Sequence, residues 1–247
     1  MSATASRQTL TPTQIAQYHR DGYIVVPNLL DDGEVDRFLA NEKSPPDRSA
    51  GKYLRVHTVD PVWESVAKHP NVAGIAKQLV GGTPMIVQTM YLPKGPGGTG
   101  IALHQDTHYI KNEPNTLMAC WIAFTDTDPE NGGFTVVPGT HTGPLMTVRK
   151  NTDTSEHDTW EESYTLRDRE GNSSKQHMYR FKIDVPDDQV VKLSIPRGAG
   201  IFFHGMLIHG SFGNHSKDRD RLAWAVHYVR EGTWVFREDI QNLVKAL

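Results

Sequence analysis

The sequence predicts a mainly β protein with a helical first third, and three observations carry that reading. From Met85 onward the chain breaks into eight short apolar runs of β character, at 85–92, 101–108, 116–125, 134–137, 190–195, 201–204, 207–211 and 221–229. No helices of the kind that joins parallel strands lie between them, so antiparallel pairing into a sandwich, jelly roll or cupin-like barrel is expected. Before Met85 the apolar residues fall instead at helical spacing behind capping signals.

The first helix opens at Thr11-Pro12-Thr13-Gln14. Thr11 can accept from the backbone three residues on, Pro12 suits the first helical position, and Gln14 can reach back to close a capping box. Gly22 marks the stop. A second helix is expected behind Asp31, with Glu34 three residues later, Val35, Phe38 and Leu39 on one face, and Leu30 placed to staple its start. A loop rich in Pro, Asp and Ser fills 44–49, after which 61–68 and 70–80 read as two short helices, the last closed by Gly81-Gly82. Among the β runs, Asn131-Gly132-Gly133 and Pro196-Arg197-Gly198 supply turn chemistry.

The stretch 142–189 is too long for a simple connection. It carries 7 basic and 10 acidic residues beside Trp160, Tyr164, Met178, Tyr179 and Phe181, apolar groups that a purely solvated loop does not need, so a lid over a site is expected. No repeat or flexible linker divides the chain. One domain is expected over 1–247, with a helical preface at 1–84, a β core at 85–229 that contains the 142–189 insertion, and a C-terminal tail at 230–247.

Composition narrows the function. Lys and Arg number 26 against 29 Asp and Glu, a net charge of -3, which argues against a dominant nucleic-acid surface. The most apolar run, 85–92, is interrupted by Gln88 and Thr89 and falls far short of the roughly 20 residues a membrane helix needs. Residues 1–8 carry no signal-peptide pattern and Lys245-Ala246-Leu247 is not a peroxisomal tripeptide, so a cytoplasmic location is expected. The single cysteine, Cys120, fits a reducing compartment and sits in an apolar run as core packing.

One constellation carries chemistry. In His104-Gln105-Asp106 an extended strand would project His104 and Asp106 from the same face, where they can share an ion. Alone the signal is weak, since chance supplies about one such spacing in a chain of this composition, and His19-Arg20-Asp21 is a second instance, expected at a helix end as a surface accident. A third ligand is offered by His209 in Leu207-Ile208-His209-Gly210-Ser211. Two histidines and a carboxylate form a facial triad suited to Fe(II), leaving three positions for a chelating cosubstrate and dioxygen. Arg221 opens the last run and is placed to pair bidentately with a remote carboxylate of that cosubstrate.

Taken in order, Asp21-Gly22-Tyr23-Ile24-Val25-Val26-Pro27, His104-Gln105-Asp106-Thr107-His108-Tyr109, Trp121, Glu130-Asn131-Gly132-Gly133, Val137-Pro138-Gly139-Thr140-His141, Phe202-Phe203-His204, Leu207–Ser211, Asn214 and Arg221-Leu222-Ala223 make the sequence resemble the phytanoyl-CoA dioxygenase (PhyH) family of Fe(II)- and 2-oxoglutarate-dependent oxygenases. The resemblance implies a double-stranded β-helix with iron on His104, Asp106 and His209. It implies the far carboxylate of 2-oxoglutarate on Arg221, and further cosubstrate contacts from Met90, Trp121, Ser211 and Arg55, the last a loose match to a family lysine. The family arginine usually comes one residue earlier, where this chain has Asp220. Arg219 and Arg221 flank it, and Leu222-Ala223 after Arg221 matches the family's strand start.

The activity so implied is oxidation of an unactivated C–H bond of a small-molecule metabolite, with 2-oxoglutarate and O2 converted to succinate and carbon dioxide. Asp106 fills the position a halide would need, which disfavours halogenation. Rival readings are desaturation, epimerisation or ring formation at the same iron, a zinc or manganese cupin-type isomerase or hydrolase using His104, His108 and His209, and a non-catalytic descendant of the fold. The near-neutral composition offers no clear patch for coenzyme A phosphates, so a smaller substrate is expected, with Tyr179, Arg180 and Trp224 as candidate lining groups.

Overall fold

The computed structural model describes residues 8–42 and 54–247; the loop expected at 44–49 lies outside them. Two antiparallel sheets form the body. The larger runs Tyr23–Val26, Gly200–His204, Met118–Ala123, Ala223–Arg230, Pro84–Tyr91, Val244–Lys245 in spatial order, and the smaller Val191–Lys192, Phe134–Val137, Ile208–Ser211, Ile101–His104. Spatial neighbours lie far apart in sequence, so the two sheets wind through each other as a jelly roll.

Period-two alternation sorts the larger sheet into two faces. Met118, Cys120, Ile122, Trp224, Val226 and Tyr228 pack outward into a core shared with four helices. Ala119, Trp121, Ala123, Ala223 and Ala225 face inward with Phe134 and Val136 of the smaller sheet. The helices are α1 (Pro12–Asp21), α2 (Asp32–Glu42), α3 (Pro61–Ala67) and α4 (Pro70–Val80). Helix α1 has its capping box, Thr11 N donating to Gln14 Oε1 at 2.9 Å and Gln14 N to Thr11 Oγ1 at 3.3 Å. It stops at Gly22, whose φ of 83° is left-handed. Helix α2 repeats the device with Asp31 and Glu34, each backbone N–H bonded to the other's carboxylate at 2.8 Å. Cys120 is fully buried and burial pushes its thiol up, consistent with packing rather than reactivity.

One expectation is corrected. The run 101–108 is not one strand: it ends at His104, and Asp106–His108 form a 3-10 turn. The buried Gln105 enforces the turn, donating from Nε2 to Met206 O at 2.7 Å. The insertion 142–189 packs on the body. Glu161–Arg167 pairs with Ser173–Tyr179, Ile183 N bonds Leu103 O at 2.8 Å, and Met178 and Phe181 are buried with Tyr109, Ile110 and Leu117. In the C-terminal stretch 230–247, Val244–Lys245 adds an edge strand beside Pro84–Tyr91 and Trp234–Val235 pairs with Asn112–Glu113. Among the described residues no helix is long and apolar enough to cross a membrane.

Candidate active site

His104 ends its strand directly opposite His209 in the register of the smaller sheet, and the turn after His104 swings Asp106 back between them. Asp106 Oδ1 lies 3.3 Å from His104 Nε2 and 3.6 Å from His209 Nε2. One donor atom from each of the three residues falls within 4.8 Å of the others, and all three residues are buried.

The imidazole tautomers follow from their other contacts. His104 Nδ1 sits 2.8 Å from Ala102 O and His209 Nδ1 3.0 Å from Leu207 O. A carbonyl oxygen only accepts, so both Nδ1 atoms carry the proton and both Nε2 atoms present lone pairs. Two such lone pairs and a carboxylate oxygen then converge with no donor between them, which is repulsive unless a cation sits there; the donor set fits a divalent iron. Phe134, stacked on the His209 ring at 5.4 Å and 7°, and Phe203 at 4.4 Å hold that ring in place. Burial lowers His209 to about 4, which keeps it a neutral ligand at ordinary pH. Burial alone would push Asp106 up, but the surrounding imidazoles, His209 and His227 foremost, outweigh it and hold the carboxyl well below its usual range.

The triad opens onto a cavity of about 680 Å³. Arg221 lines it, 2% exposed, with Nη1 on Leu92 O at 3.0 Å, the guanidinium 5.7 Å from the Trp121 ring and Nε buried without a partner. Burial lowers it to about 10, still charged at neutral pH, and among the described residues no carboxylate pairs with it. A buried, uncompensated guanidinium is a fit for a carboxylate ligand. Met90, Trp121 and Ser211 line the same cavity. Arg219, by contrast, is turned outward onto Asp128 and Glu130. Trp160, Tyr164 and Arg180 of the 142–189 element also line the cavity. Arg180 pairs with Asp158 at 2.6 Å and lies over Trp160.

Other candidates are not brought together. Arg55 points away to the C-terminal segment, donating to Asp239 O and to Asn242 O, because its backbone is left-handed at φ 59°. Trp224 is fully buried on the outward face of its strand, 6.4 Å from both Phe38 and Trp63. Tyr179 stands outside the cavity, packed on Phe181 at 4.9 Å. His108 leaves the face of His104 when the strand ends and bonds Met146 O at 3.0 Å, so a His104–His108–His209 site does not form. His19 and Asp21 lie on the surface, Asp21 paired with Arg20.

Two residues at the site were missed by the sequence reading. His227 donates from Nε2 to Asp106 Oδ2 at 3.0 Å; its signal was available, since 221, 223, 225 and 227 alternate onto the inward face. Lys94, buried beside Arg221, bonds Ser211 Oγ at 3.1 Å and Phe212 O. Burial, then the Arg221 charge, lowers it to about 6. No local pattern marks it.

The family model for phytanoyl-CoA dioxygenase (PhyH) matches residues 18–223. "Phytanoyl-CoA dioxygenase, peroxisomal" of Rattus norvegicus is 28% identical over 255 residues, covering 91% of this chain and 70% of the relative. "Phytanoyl-CoA dioxygenase domain-containing protein 1" of Mus musculus is 30% identical over 192 residues, and the match takes in 59% of that protein's length and 75% of this chain. Among solved structures, the non-heme alpha ketoglutarate dependent epimerase SnoN of nogalamycin biosynthesis superposes with a TM-score of 0.67 at 21% identity, over 91% of this chain and 84% of that one. The carbocyclase SnoK of the same biosynthesis gives 0.66 at 23%, over 94% and 90%. EctD from S. alaskensis with 2-oxoglutarate and 5-hydroxyectoine gives 0.65 at 20%, over 90% and 76%. At these identities the structural likeness is one of fold.

Proposed function

Because the chain belongs to the phytanoyl-CoA dioxygenase family, we propose that it is an Fe(II)- and 2-oxoglutarate-dependent oxygenase hydroxylating an unactivated C–H bond of a small, uncharged metabolite. The observation that carries this reading is the convergence of the His104 and His209 Nε2 lone pairs and Asp106 Oδ1 beside the unpaired guanidinium of Arg221. Bound iron would supply the activation of dioxygen, coupled to decarboxylation of 2-oxoglutarate to succinate.

The protein's own part is orientation. His104, Asp106 and His209 would hold the metal, and all three line the cavity. Arg221, with Ser211 and Trp121 beside it, draws in the distal carboxylate and fixes which way the cosubstrate chain runs. Tyr109, Trp160 and Tyr164 provide aromatic walls for the substrate and limit water. In this outer half the cations are neutralised: Arg180 by Asp158, Arg237 by Asp239, and Lys150 outside the wall by Glu161. A coenzyme A tail needs free cations for its phosphates, so these pairings favour a compact uncharged molecule.

Hydroxylation, ring formation and epimerisation are separated by the product. With iron, 2-oxoglutarate and a metabolite panel, succinate should form in stoichiometry with oxygen consumed, and the product should gain one oxygen atom. A product two hydrogens lighter would point to desaturation or ring closure, and an isomer of unchanged mass to epimerisation. Turnover without succinate would overturn the oxygenase reading.

A further inference from the structure

Lys94 lies at the turn after Pro84–Tyr91, where its backbone bridges Arg221 through two 2.9 Å hydrogen bonds. Its side chain runs inward and is only 6% exposed. Two glycines make its channel: a Cβ on Gly98 would come within 2.8 Å of Lys94 Cγ, and one on Gly132 within 2.8 Å of Cδ and 3.1 Å of Nζ. Gly132 belongs to the Glu130-Asn131-Gly132-Gly133 segment, so part of that segment's composition serves this lysine. No carboxylate pairs with Lys94 among the described residues. Burying an amine with no ion-pair partner is costly, and the acceptors it reaches are Ser211 Oγ and Phe212 O.

Ser211 explains the arrangement. Its Oγ accepts from Lys94 Nζ and from Ile101 N, each at 3.1 Å. A hydroxyl has two lone pairs and one proton, so with both lone pairs taken the proton is left to donate, and Ser211 lines the cavity. Were Lys94 absent, the hydroxyl could turn and donate elsewhere. We propose that Lys94 is a positioning residue for the cosubstrate: it fixes the Ser211 hydroxyl as a donor into the cavity, where with Arg221 it binds the distal carboxylate of a dicarboxylic 2-oxo acid. The inference rests on the Fe(II)/2-oxoglutarate reading above and adds to it the residue that sets discrimination for a dicarboxylate over a 2-oxo monocarboxylate.

The test is an anaerobic titration of the Fe(II) protein, followed by the metal-to-ligand charge-transfer band, with 2-oxoglutarate and with 2-oxobutanoate, which lacks the distal carboxylate. Lys94→Met should weaken 2-oxoglutarate about tenfold, the scale of one lost charge-assisted contact, and leave 2-oxobutanoate within about twofold. Ser211→Ala should lose a similar amount, and the double variant should be no worse than the weaker single, because Lys94 acts through Ser211. Should Lys94→Met fail to fold or to bind iron, Lys94→Gln and Ser211→Ala carry the same comparison. Unchanged 2-oxoglutarate affinity in Lys94→Met, equal losses for both acids, or additive losses in the double variant would each overturn the proposal. Absence of the band in the wild-type protein would instead defeat the iron/2-oxoglutarate reading on which it rests.

Discussion

His227 Nε2 donates to Asp106 Oδ2 at 3.0 Å, joining the larger sheet to the turn that follows the smaller sheet's edge strand. The contact occupies the carboxylate oxygen that faces away from His104 and His209, so it orients Oδ1 toward them. His227 Nδ1 in turn meets Gln88 Nε2 at 3.4 Å, which fixes the ring from its far side.

Removing that orienting donor should therefore loosen the metal site without unfolding it. His227→Ala should lower Fe(II) affinity about 10- to 100-fold, the usual cost of losing a group that positions a ligand. Competitive metal titration reads the change, and an affinity within twofold of wild type would show that Asp106 is positioned without His227.

Arg221 and Arg219 make a sharper pair. Arg221→Ala removes the buried guanidinium and should cost about 2 kcal/mol or more, roughly 30-fold in 2-oxoglutarate affinity, with iron retained. Arg219→Ala removes a surface cation already held by Asp128 and Glu130 and should change affinity less than about threefold. Anaerobic titration of both variants decides between them; a large loss in Arg219→Ala alone would place the anchor two residues upstream.

Two histidines outside the triad give the metal-free protein an acid limit. Burial lowers His57 and His204 from the ordinary 6.5 to about 4. The folded state then binds fewer protons than the unfolded chain, so stability is complete above about pH 6.5 and falls as pH drops toward 4. Between pH 7.5 and 5 the loss should be on the order of a few kcal/mol. Urea midpoints at the two pH values measure it, and equal midpoints would contradict the burial assigned to these rings.

The local signals in the sequence proved the most readable. Both capping boxes lie within four residues, so α1 and α2 were legible, and His209 followed from an apolar run closed by glycine. The strand periodicity that points to Asp106 stops two residues before it, and a turn held by Gln105 produces the same convergence by a different route. Trp224 and Arg55 lie away from the cavity lining for reasons that no local pattern carries. The face of Trp224 is set by a register that pairs Ala225 with both Met90 and Trp121, and that of Arg55 by a left-handed backbone. Lys94 and the edge strand Val244–Lys245 depend on partners over a hundred residues away, which no local pattern encodes.

Anaerobic addition of Fe(II) and then 2-oxoglutarate to the wild-type protein and to His104→Ala, Asp106→Ala, His209→Ala and His19→Ala separates metal ligands from a surface histidine. Wild type and His19→Ala should bind one iron and develop the charge-transfer band on saturation with 2-oxoglutarate. The three triad variants should keep their far-UV circular dichroism and lose both stoichiometric iron and the band. Full iron binding and an undiminished band in His209→Ala, or their loss in His19→Ala, would contradict the assignment of His104, Asp106 and His209 as the metal centre.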